Sequence, residues 1–174
     1  GAMGNGIAHV FALSGFRVSL VDVSEEALAK GIATITKNMD RQVAKGSLSE
    51  EEKQKALSSI QTGTSLEAAA ANSDLIVEAA TENEELKNKF FGQMDAAAPP
   101  HCILATNTSS ISITRLAAVT GRPEKVIGMH FMNPVPVMKL VEIILGYQTE
   151  KEVGTLIEEL SRQLGKLPYT VEDF

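Results

Sequence analysis

The chain has 174 residues, of which 44% are hydrophobic and 22% charged, as in an ordinary globular domain with its own core. Its net charge of −6 without a basic block argues against a nucleic-acid partner, and no apolar run approaches the roughly 18 residues of a membrane span. Its one cysteine, Cys102, excludes an intramolecular disulfide and fits a reduced cytosolic or organellar-matrix compartment.

Apolar runs alternate with helical periods from the start of the chain. The run FRVSLVDV (16–23) predicts a strand, and Ser24 follows it as a helix cap with two acidic residues in the first turn. This helix continues to about Ala44, where KGS separates it from a second, charge-rich helix. We therefore predict a helical hairpin over residues 24–60.

The same alternation continues to the end of the chain. Further strands are predicted at 60–64, 74–80, 102–107, 125–131, 138–144 and 167–171. Further helices are predicted at 65–72, 84–97 and 150–165, and a short helix after the turn TSS ends at about Thr120. This order predicts an α/β fold, a doubly wound, mostly parallel sheet with helices on both faces. Ligands of such sheets bind at the carboxyl ends of the strands. We expect the candidate site residues to lie at such ends.

The first residues, GAMGNGIAHVFALSG, have the spacing of a phosphate-binding turn followed by a helix. Gly1 and Gly4 match the second and third glycines of the G-x-G-x-x-G fingerprint, which allow close approach to a pyrophosphate and close helix packing. We expect Gly1, Gly4 and Gly6 to precede the helix, whose amino terminus would present amide groups to phosphates. A glycine-rich start left by a tag is an equally simple interpretation.

Asp22 favours the nucleotide interpretation. It ends the next strand, about 20 residues beyond the turn, where an acid receives the ribose hydroxyls and repels a 2′-phosphate. It therefore predicts NAD rather than NADP. An aspartate that caps a turn or helix is the alternative.

A second group of polar residues indicates proton chemistry. His130 ends a predicted strand, Asn133 follows it, and Glu142 lies on the next strand. A carboxylate beside an imidazole fixes its tautomer and stabilises the protonated form, as a general base for a hydroxyl group requires. Ser109 and Ser110 follow the strand CILATN and are candidates to bind the same substrate oxygen. A purely structural His–Glu pair is the alternative.

The other histidines and the cysteine have simpler interpretations. We predict His9 in the first helix and His101 in a loop, and neither has partners at metal-ligand spacing, so we predict no metal site. Cys102 is predicted to be a small buried residue at the start of a strand rather than a nucleophile.

Several segments together match a family pattern: GAMGNGIA, VDV, VEAATENEELK, ILATNTSSISIT and, above all, GMHFMNPVPVMKLVEII. They resemble the amino-terminal domain of the 3-hydroxyacyl-CoA dehydrogenases, most closely the bacterial short-chain type, over essentially the whole chain. The resemblance implies a Rossmann-type NAD-binding fold. It also implies reversible, NAD-dependent oxidation of a (3S)-3-hydroxyacyl-CoA, such as 3-hydroxybutyryl-CoA, to the 3-oxoacyl-CoA.

The resemblance also implies roles for individual residues. His130 would be the general base, Glu142 its orienting partner, and Ser109 and Asn133 would bind the substrate oxygen or position the acyl group. Cofactor contacts would come from Gly1, Ala2, Met3, Gly4, Asp22, Glu82, Lys87, Asn107 and Ser109, and coenzyme A contacts from Lys45 and Ser109. Without the resemblance, Glu82 and Lys87 predict only a solvated helix start, and Lys45 a partner of the helix dipole.

The family pattern extends beyond both ends of the chain. It implies a strand before Gly1, whose loss would leave two unpaired edges, and an all-helical second domain that would form most of a homodimer interface. We therefore expect residues 1–174, one NAD-binding domain truncated at both ends, to have little or no activity alone. Two alternatives stay open. One is a related β-hydroxyacid dehydrogenase with a lysine base, and the other is a non-catalytic NAD-binding or structural relative.

Overall fold

The computed structural model describes residues 1–173, and Phe174, the last residue of the predicted domain, lies outside that range. The chain forms two compact units. The first unit contains residues 1–65 and 133–137, and the second contains residues 66–132 and those from Met138 onward. No helix among residues 1–173 combines the length and the apolar content that crossing a membrane requires.

The first unit combines a parallel pair of strands with three helices. Its elements are α1 (Ala2–Leu13), β1 (Val18–Val21), α2 (Glu25–Ala44), α3 (Glu50–Ser58) and β2 (Ile60–Gly63). The two helices α2 and α3 occupy the segment predicted as a helical hairpin. Ser24 caps α2 by accepting the amide of Ala27, as predicted, and Ser49 forms a capping box with Glu52 at the start of α3.

Small and aliphatic residues pack the three helices of the first unit together. The core of this unit contains Ala8, Ala12, Ile35, Met39 and Ala56, which lie on facing sides of α1, α2 and α3. The helices α1 and α2 approach so closely that a Cβ on Gly31 would lie 2.6 Å from Oδ1 of Asn5. Glycine at this position is therefore what permits the contact.

The helix α1 begins at Ala2, earlier than predicted. The prediction that Gly4 and Gly6 precede the helix is wrong, because both lie inside α1. The close helix packing expected at a fingerprint glycine occurs at Gly6, where a Cβ would lie 2.7 Å from the Cβ of Val135. A Cβ on Gly4 would meet nothing within 4 Å in the described part of the chain. Only Gly1 lies ahead of the helix, as its N-cap residue.

The second unit is built on a five-stranded sheet with the order β3-β4-β5-β6-β7. Neighbouring strands are parallel except β5 and β6, which are antiparallel. The elements are α4 (Leu66–Ala70), β3 (Leu75–Glu78), α5 (Glu84–Ala97), β4 (Ile103–Thr106), α6 (Ile113–Ala117), a 3-10 turn (Pro123–Lys125), β5 (Val126–Phe131), β6 (Leu140–Leu145), α7 (Lys151–Gln163) and β7 (Leu167–Glu172). The predicted α/β class with a mostly parallel sheet is confirmed.

Helices cover both faces of this sheet. Ile113 of α6 lies 3.1 Å from where a Cβ on Gly128 would be, beside Ile144 of β6. Leu145 lies 3.0 Å from where a Cβ on Gly154 of α7 would be. Because consecutive strand residues point to opposite faces, α6 and α7 pack on opposite sides of β6. The core between α4, α5, α6 and the sheet contains Ala70, Phe91, Met94, Leu104, Ile113, Leu116 and Val126.

Four strands, β1, β2, β3 and β7, have an edge without a neighbour in the part of the chain that the structure describes. Among residues 1–173, β1 pairs only with β2, and β3 pairs only with β4. The backbone groups along the second edge of each strand therefore join no ladder in the described part of the chain.

Candidate functional site

His130 and Glu142 lie directly opposite each other in the second unit. They are register partners in the antiparallel pair of β5 and β6, and Nδ1 of His130 is 3.3 Å from Oε1 of Glu142. The contact expected from the sequence is therefore present. When Nδ1 carries a proton and donates a hydrogen bond to this carboxylate, Nε2 is left as an acceptor. The two side chains are 20% and 36% exposed, so both are partly shielded yet accessible.

Glu142 is an exception to the expectation that every candidate lies at the carboxyl end of a strand. It is the third residue of β6, not one of its last residues. The antiparallel direction of β6 brings this early residue opposite the end of β5, where His130 lies. The pair therefore depends on the reversal of strand direction at β6.

The turn after β4 begins with Asn107 and contains Ser109. Oδ1 of Asn107 accepts the amide of Phe131 at 2.8 Å, and the backbone amide of Asn107 donates to the carbonyl of Glu78 at 2.8 Å. Asn107 thus joins the end of β4 to the residue that follows His130. Ser109 is exposed, so its hydroxyl group is accessible to a ligand.

Glu82 lies in the loop after β3, next to this turn. Its Oε2 accepts hydrogen bonds from the hydroxyl groups of Thr108 and Ser110, each at 2.7 Å. Partial burial by itself raises the pKa of Glu82, but these hydroxyl groups and the positive charges of Lys87 and His130 outweigh it and hold the pKa below its ordinary value. Its side chain is 53% exposed, and an ionised, accessible carboxylate is a strong acceptor for the hydroxyl groups of a ligand.

Lys87 does not lie at a solvated helix start. It is 1% exposed, and its Nζ lies 2.7 and 2.8 Å from the two carboxylate oxygens of Glu78 and 3.8 Å from Oε1 of Glu82. The interpretation from spacing alone is therefore wrong for Lys87. Glu78 is the residue that the sequence analysis missed. The signal that could have identified it is its position as an acid directly after the apolar residues of β3. A carboxylate buried at such a position requires a charged or hydrogen-bonding partner.

The first unit contains the predicted phosphate-binding helix and Asp22. Gly1 gives α1 no side-chain cap, and the first turn holds no acidic residue, so the amides of Ala2, Met3 and Gly4 and the helix dipole favour an anion. Asp22 follows β1, and its Oδ1 accepts the amide of Val23 at 2.7 Å. Amide donors fit phosphate groups, and a carboxylate fits ribose hydroxyls, so these residues fit a dinucleotide.

Lys45 and Asn133 also belong to the first unit. Lys45 is the exposed C-cap residue of α2, a position compatible with a dipole partner and with an anion contact. Asn133 is exposed and lines a cavity of about 110 Å³ together with the polar residues Asn5, His9 and Asn38.

The remaining histidines and the cysteine lie where the sequence predicts them. His9 is buried in α1 with Nε2 2.9 Å from Oε1 of Gln42, and His101 is in a loop with Nε2 2.7 Å from Oδ1 of Asp74. Cys102 is 0% exposed before β4, and burial raises its pKa to about 11. Among residues 1–173, no three His, Cys, Asp or Glu side chains are grouped so that they could hold a metal ion.

Comparisons with known proteins cover the whole chain. The family model of the NAD binding domain of 3-hydroxyacyl-CoA dehydrogenase matches residues 1–174. The chain is 52% identical to the 3-hydroxybutyryl-CoA dehydrogenase of Bradyrhizobium diazoefficiens, covering 100% of this chain and 59% of that protein. It is 42% identical to human mitochondrial hydroxyacyl-coenzyme A dehydrogenase, with coverages of 99% and 57%.

A solved structure shows the same fold. The (S)-3-hydroxybutyryl-CoA dehydrogenase of Ralstonia eutropha matches with a TM-score of 0.96 and 49% identity, covering 100% of this chain and 61% of that one. The chain thus spans about three fifths of the length of these relatives. From this agreement in sequence and fold, we conclude that the chain belongs to the 3-hydroxyacyl-CoA dehydrogenase family and corresponds to its NAD-binding domain.

Proposed function

We propose that the full-length protein catalyses the reversible, NAD-dependent oxidation of a (3S)-3-hydroxyacyl-CoA to the 3-oxoacyl-CoA. The observation that carries this proposal is the His130–Glu142 pair, with 3.3 Å between Nδ1 and Oε1, in a chain of this dehydrogenase family. Two relatives named 3-hydroxybutyryl-CoA dehydrogenase and probable 3-hydroxybutyryl-CoA dehydrogenase, 52% and 45% identical, support 3-hydroxybutyryl-CoA as the substrate.

The chemistry divides between the cofactor and the side chains of this chain. Oxidation of the 3-hydroxyl group removes a proton from oxygen and a hydride from C3, and bound NAD supplies the acceptor for the hydride. Nε2 of His130 takes the proton as general base, and Glu142 stabilises the resulting imidazolium. In the reverse direction the imidazolium returns the proton to the C3 oxygen. Ser109 and Asn133 hydrogen-bond this oxygen or position the acyl group.

Each unit has its own residues that are proposed to contact NAD or coenzyme A. In the first unit, the backbone of residues 1–4 would hold the pyrophosphate, and Asp22 would hold the adenine ribose and disfavour a 2′-phosphate. In the second unit, Glu82, Asn107 and Ser109 would bind on the nicotinamide ribose side, with Lys87 behind Glu82. Lys45 and Ser109 would bind coenzyme A.

The geometry disfavours a lysine-based dehydrogenase mechanism at Lys87. A catalytic base needs a free lone pair and access to the substrate, whereas Lys87 is 1% exposed and contacts both oxygens of Glu78.

The full-length protein is further proposed to be a homodimer in the bacterial cytoplasm or, in a eukaryote, the mitochondrial matrix. Residues 1–174 alone are proposed to turn over little or nothing.

The proposal is tested by following NADH oxidation with acetoacetyl-CoA in the full-length protein. We predict that His130→Ala lowers kcat by a factor of about 10²–10⁴, because the group that delivers the proton is lost. His101→Ala is the matched control, since it removes an exposed histidine that is also paired with an acid in the second unit. It retains the wild-type rate.

Two outcomes would contradict the proposal. An unchanged rate in His130→Ala would overturn the assignment of the general base. A wild-type protein that binds NADH but turns over no acyl-CoA of any chain length would favour a non-catalytic relative on the same scaffold.

A further inference from the structure

Glu78 is a buried carboxylate with every hydrogen-bonding position in use. Its Oε1 accepts from Nζ of Lys87 at 2.7 Å and from the hydroxyl group of Thr106 at 2.8 Å. Its Oε2 accepts from the same Nζ at 2.8 Å and from the amide of Ala80 at 2.7 Å. The side chains of Glu78 and Lys87 are only 4% and 1% exposed. Two charges buried in this way are tolerated because each neutralises the other and the remaining positions are hydrogen-bonded.

The ammonium group of Lys87 also faces the accessible acid of the site. It has three N–H donors, of which two serve the short contacts to Glu78, and it lies 3.8 Å from Oε1 of Glu82. The other oxygen of Glu82 is held by the hydroxyl groups of Thr108 and Ser110. The buried acid, the buried cation and the accessible acid thus form a row that ends at the surface.

We infer that Glu78 and Lys87 are positioning residues for the cofactor site. Glu78 fixes the place of the Lys87 ammonium, and this ammonium, with the hydroxyl groups of the turn after β4, fixes the Glu82 carboxylate that accepts a ribose hydroxyl of the dinucleotide. The inference rests on the proposed function, in which Glu82 binds on the nicotinamide ribose side. It assigns to Glu78 and Lys87 an effect on NAD that passes through Glu82.

The electrostatics of Glu82 agree with this geometry. Burial alone would raise the pKa of Glu82, and the hydroxyl groups of Thr108 and Ser110, followed by the charges of Lys87 and His130, lower it below its ordinary value. The charged groups that act on Glu82 are therefore Lys87 from α5 and His130 from β5, while Glu78 acts on it through Lys87. Removing the Lys87 charge takes away one of the influences that lower the pKa of Glu82, so that pKa rises.

The experiment measures NADH affinity as a function of pH in the full-length protein, by fluorescence titration. The main variant is the double substitution Glu78→Gln/Lys87→Met, which removes both charges and leaves neither one buried alone. Glu82→Gln is the reference variant, because its side chain at position 82 cannot titrate. Asp95→Asn is the matched control, because it disturbs another partly buried ion pair of the second unit, the one with Arg122.

The expected result is a change in the acidic part of the affinity profile. In the wild type, NADH affinity falls at low pH as Glu82 is protonated, and in the double variant this fall occurs at a higher pH. KM for NADH rises by a larger factor than kcat at saturating NADH falls. Glu82→Gln abolishes this part of the profile, and adding the double substitution to it has no further effect. Asp95→Asn keeps the wild-type profile. A general loss of stability in the second unit would change the profile of this variant too, so it is excluded as the cause of the shift in the double variant.

The outcomes separate this inference from the proposed function. If the wild type binds no NADH, the proposed function is wrong and the inference is overturned with it. If the wild type binds NADH and the folded double variant keeps the wild-type profile, only the positioning role is overturned. Should the double variant not fold, Glu78→Asp provides the same test, because it keeps the charge but draws the ammonium away from Glu82. We expect a smaller shift in the same direction, and an unshifted profile contradicts the inference.

Discussion

At the scale of single residues, burial separates the ionisable groups of the second unit into reactive and unreactive ones. Glu78 and Lys87 are enclosed and neutralise each other, and Cys102 is enclosed with a pKa raised to about 11 by burial. His130 and Glu82 keep side chains that are 20% and 53% exposed. Chemistry with a ligand is therefore expected at His130 and Glu82 and not at the buried groups.

Cys102 provides a direct test of this separation. Because its thiol is buried and protonated at neutral and mildly alkaline pH, we predict that iodoacetamide does not alkylate it in the native full-length protein at about pH 8. It does react in urea, as mass spectrometry of the peptide containing Cys102 would show. In the folded state, burial raises the pKa of Cys102 above the ordinary value of 9.0, so the protonated thiol stabilises the folded state fully at a pH below 9.0. This stabilisation is lost as the pH rises through about 11. Complete alkylation of the native protein would contradict this account.

The sequence identified some of these residues and missed others for physical reasons. The pairing of His130 with Glu142 could be predicted because two polar residues on adjacent strands come into contact when the register places them opposite each other. Glu78 was missed, and Lys87 misjudged, because their contact depends on the rotation of α5 about its own axis. That rotation is set by the packing of Phe91 and Met94 against the sheet, which local spacing does not reveal.

At the scale of elements, the carboxyl end of α5 depends on a side chain from a distant turn. The last carbonyls of a helix have no partners within it, and α5 ends at Ala97. Arg122, which is 8% exposed, donates to Oδ1 of Asp95 and to four backbone carbonyls. These carbonyls belong to Asp95, Ala98, Pro99 and Cys102, at 2.7–3.1 Å. The guanidinium group thus joins the end of α5 to the start of β4.

We predict that Arg122→Lys lowers the free energy of unfolding by about 2–4 kcal/mol, because a lysine cannot supply the planar set of donors and leaves buried carbonyls unpaired. Urea denaturation of the full-length protein measures the loss. Arg115→Lys is the matched control, since Arg115 is exposed and makes one ion pair with Glu84 at 3.0 Å. It changes stability by less than about 0.5 kcal/mol. Equal effects of the two substitutions would contradict the role assigned to Arg122.

Most elements followed from local patterns, and the differences have identifiable causes. The bounds of α5, Glu84–Ala97, match the prediction because a cap and a proline pair mark its ends. The start of α1 was misplaced because glycines predict a turn, whereas the glycine at position 6 leaves room for Val135 beside the helix. The antiparallel direction of β6 had a readable signal. Only eight residues separate β5 from β6, fewer than the dozen or so that a parallel crossover needs.

At the scale of the whole molecule, the fold class followed from the order of the elements, and the proposed chemistry rests on the block around His130. The pairing of strands into one sheet of two strands and one of five did not follow from the sequence. Hydrogen-bond pairing depends on which strands are neighbours in space, and alternation alone leaves that undetermined. Because the chain spans about three fifths of its relatives, function is assayed in the full-length protein.

The most direct test of the central claim is a double-mutant cycle on NADH oxidation with acetoacetyl-CoA, measured as kcat/KM in the full-length protein. We predict an active wild type, a loss in each of His130→Ala and Glu142→Gln, and a double variant no worse than His130→Ala alone. The reason is that Glu142 acts through the imidazole, which gives a coupling energy of about 0.5–3 kcal/mol. Losses that simply add, or a wild-type rate in His130→Ala, would contradict the claim that the two residues form one proton-transfer unit.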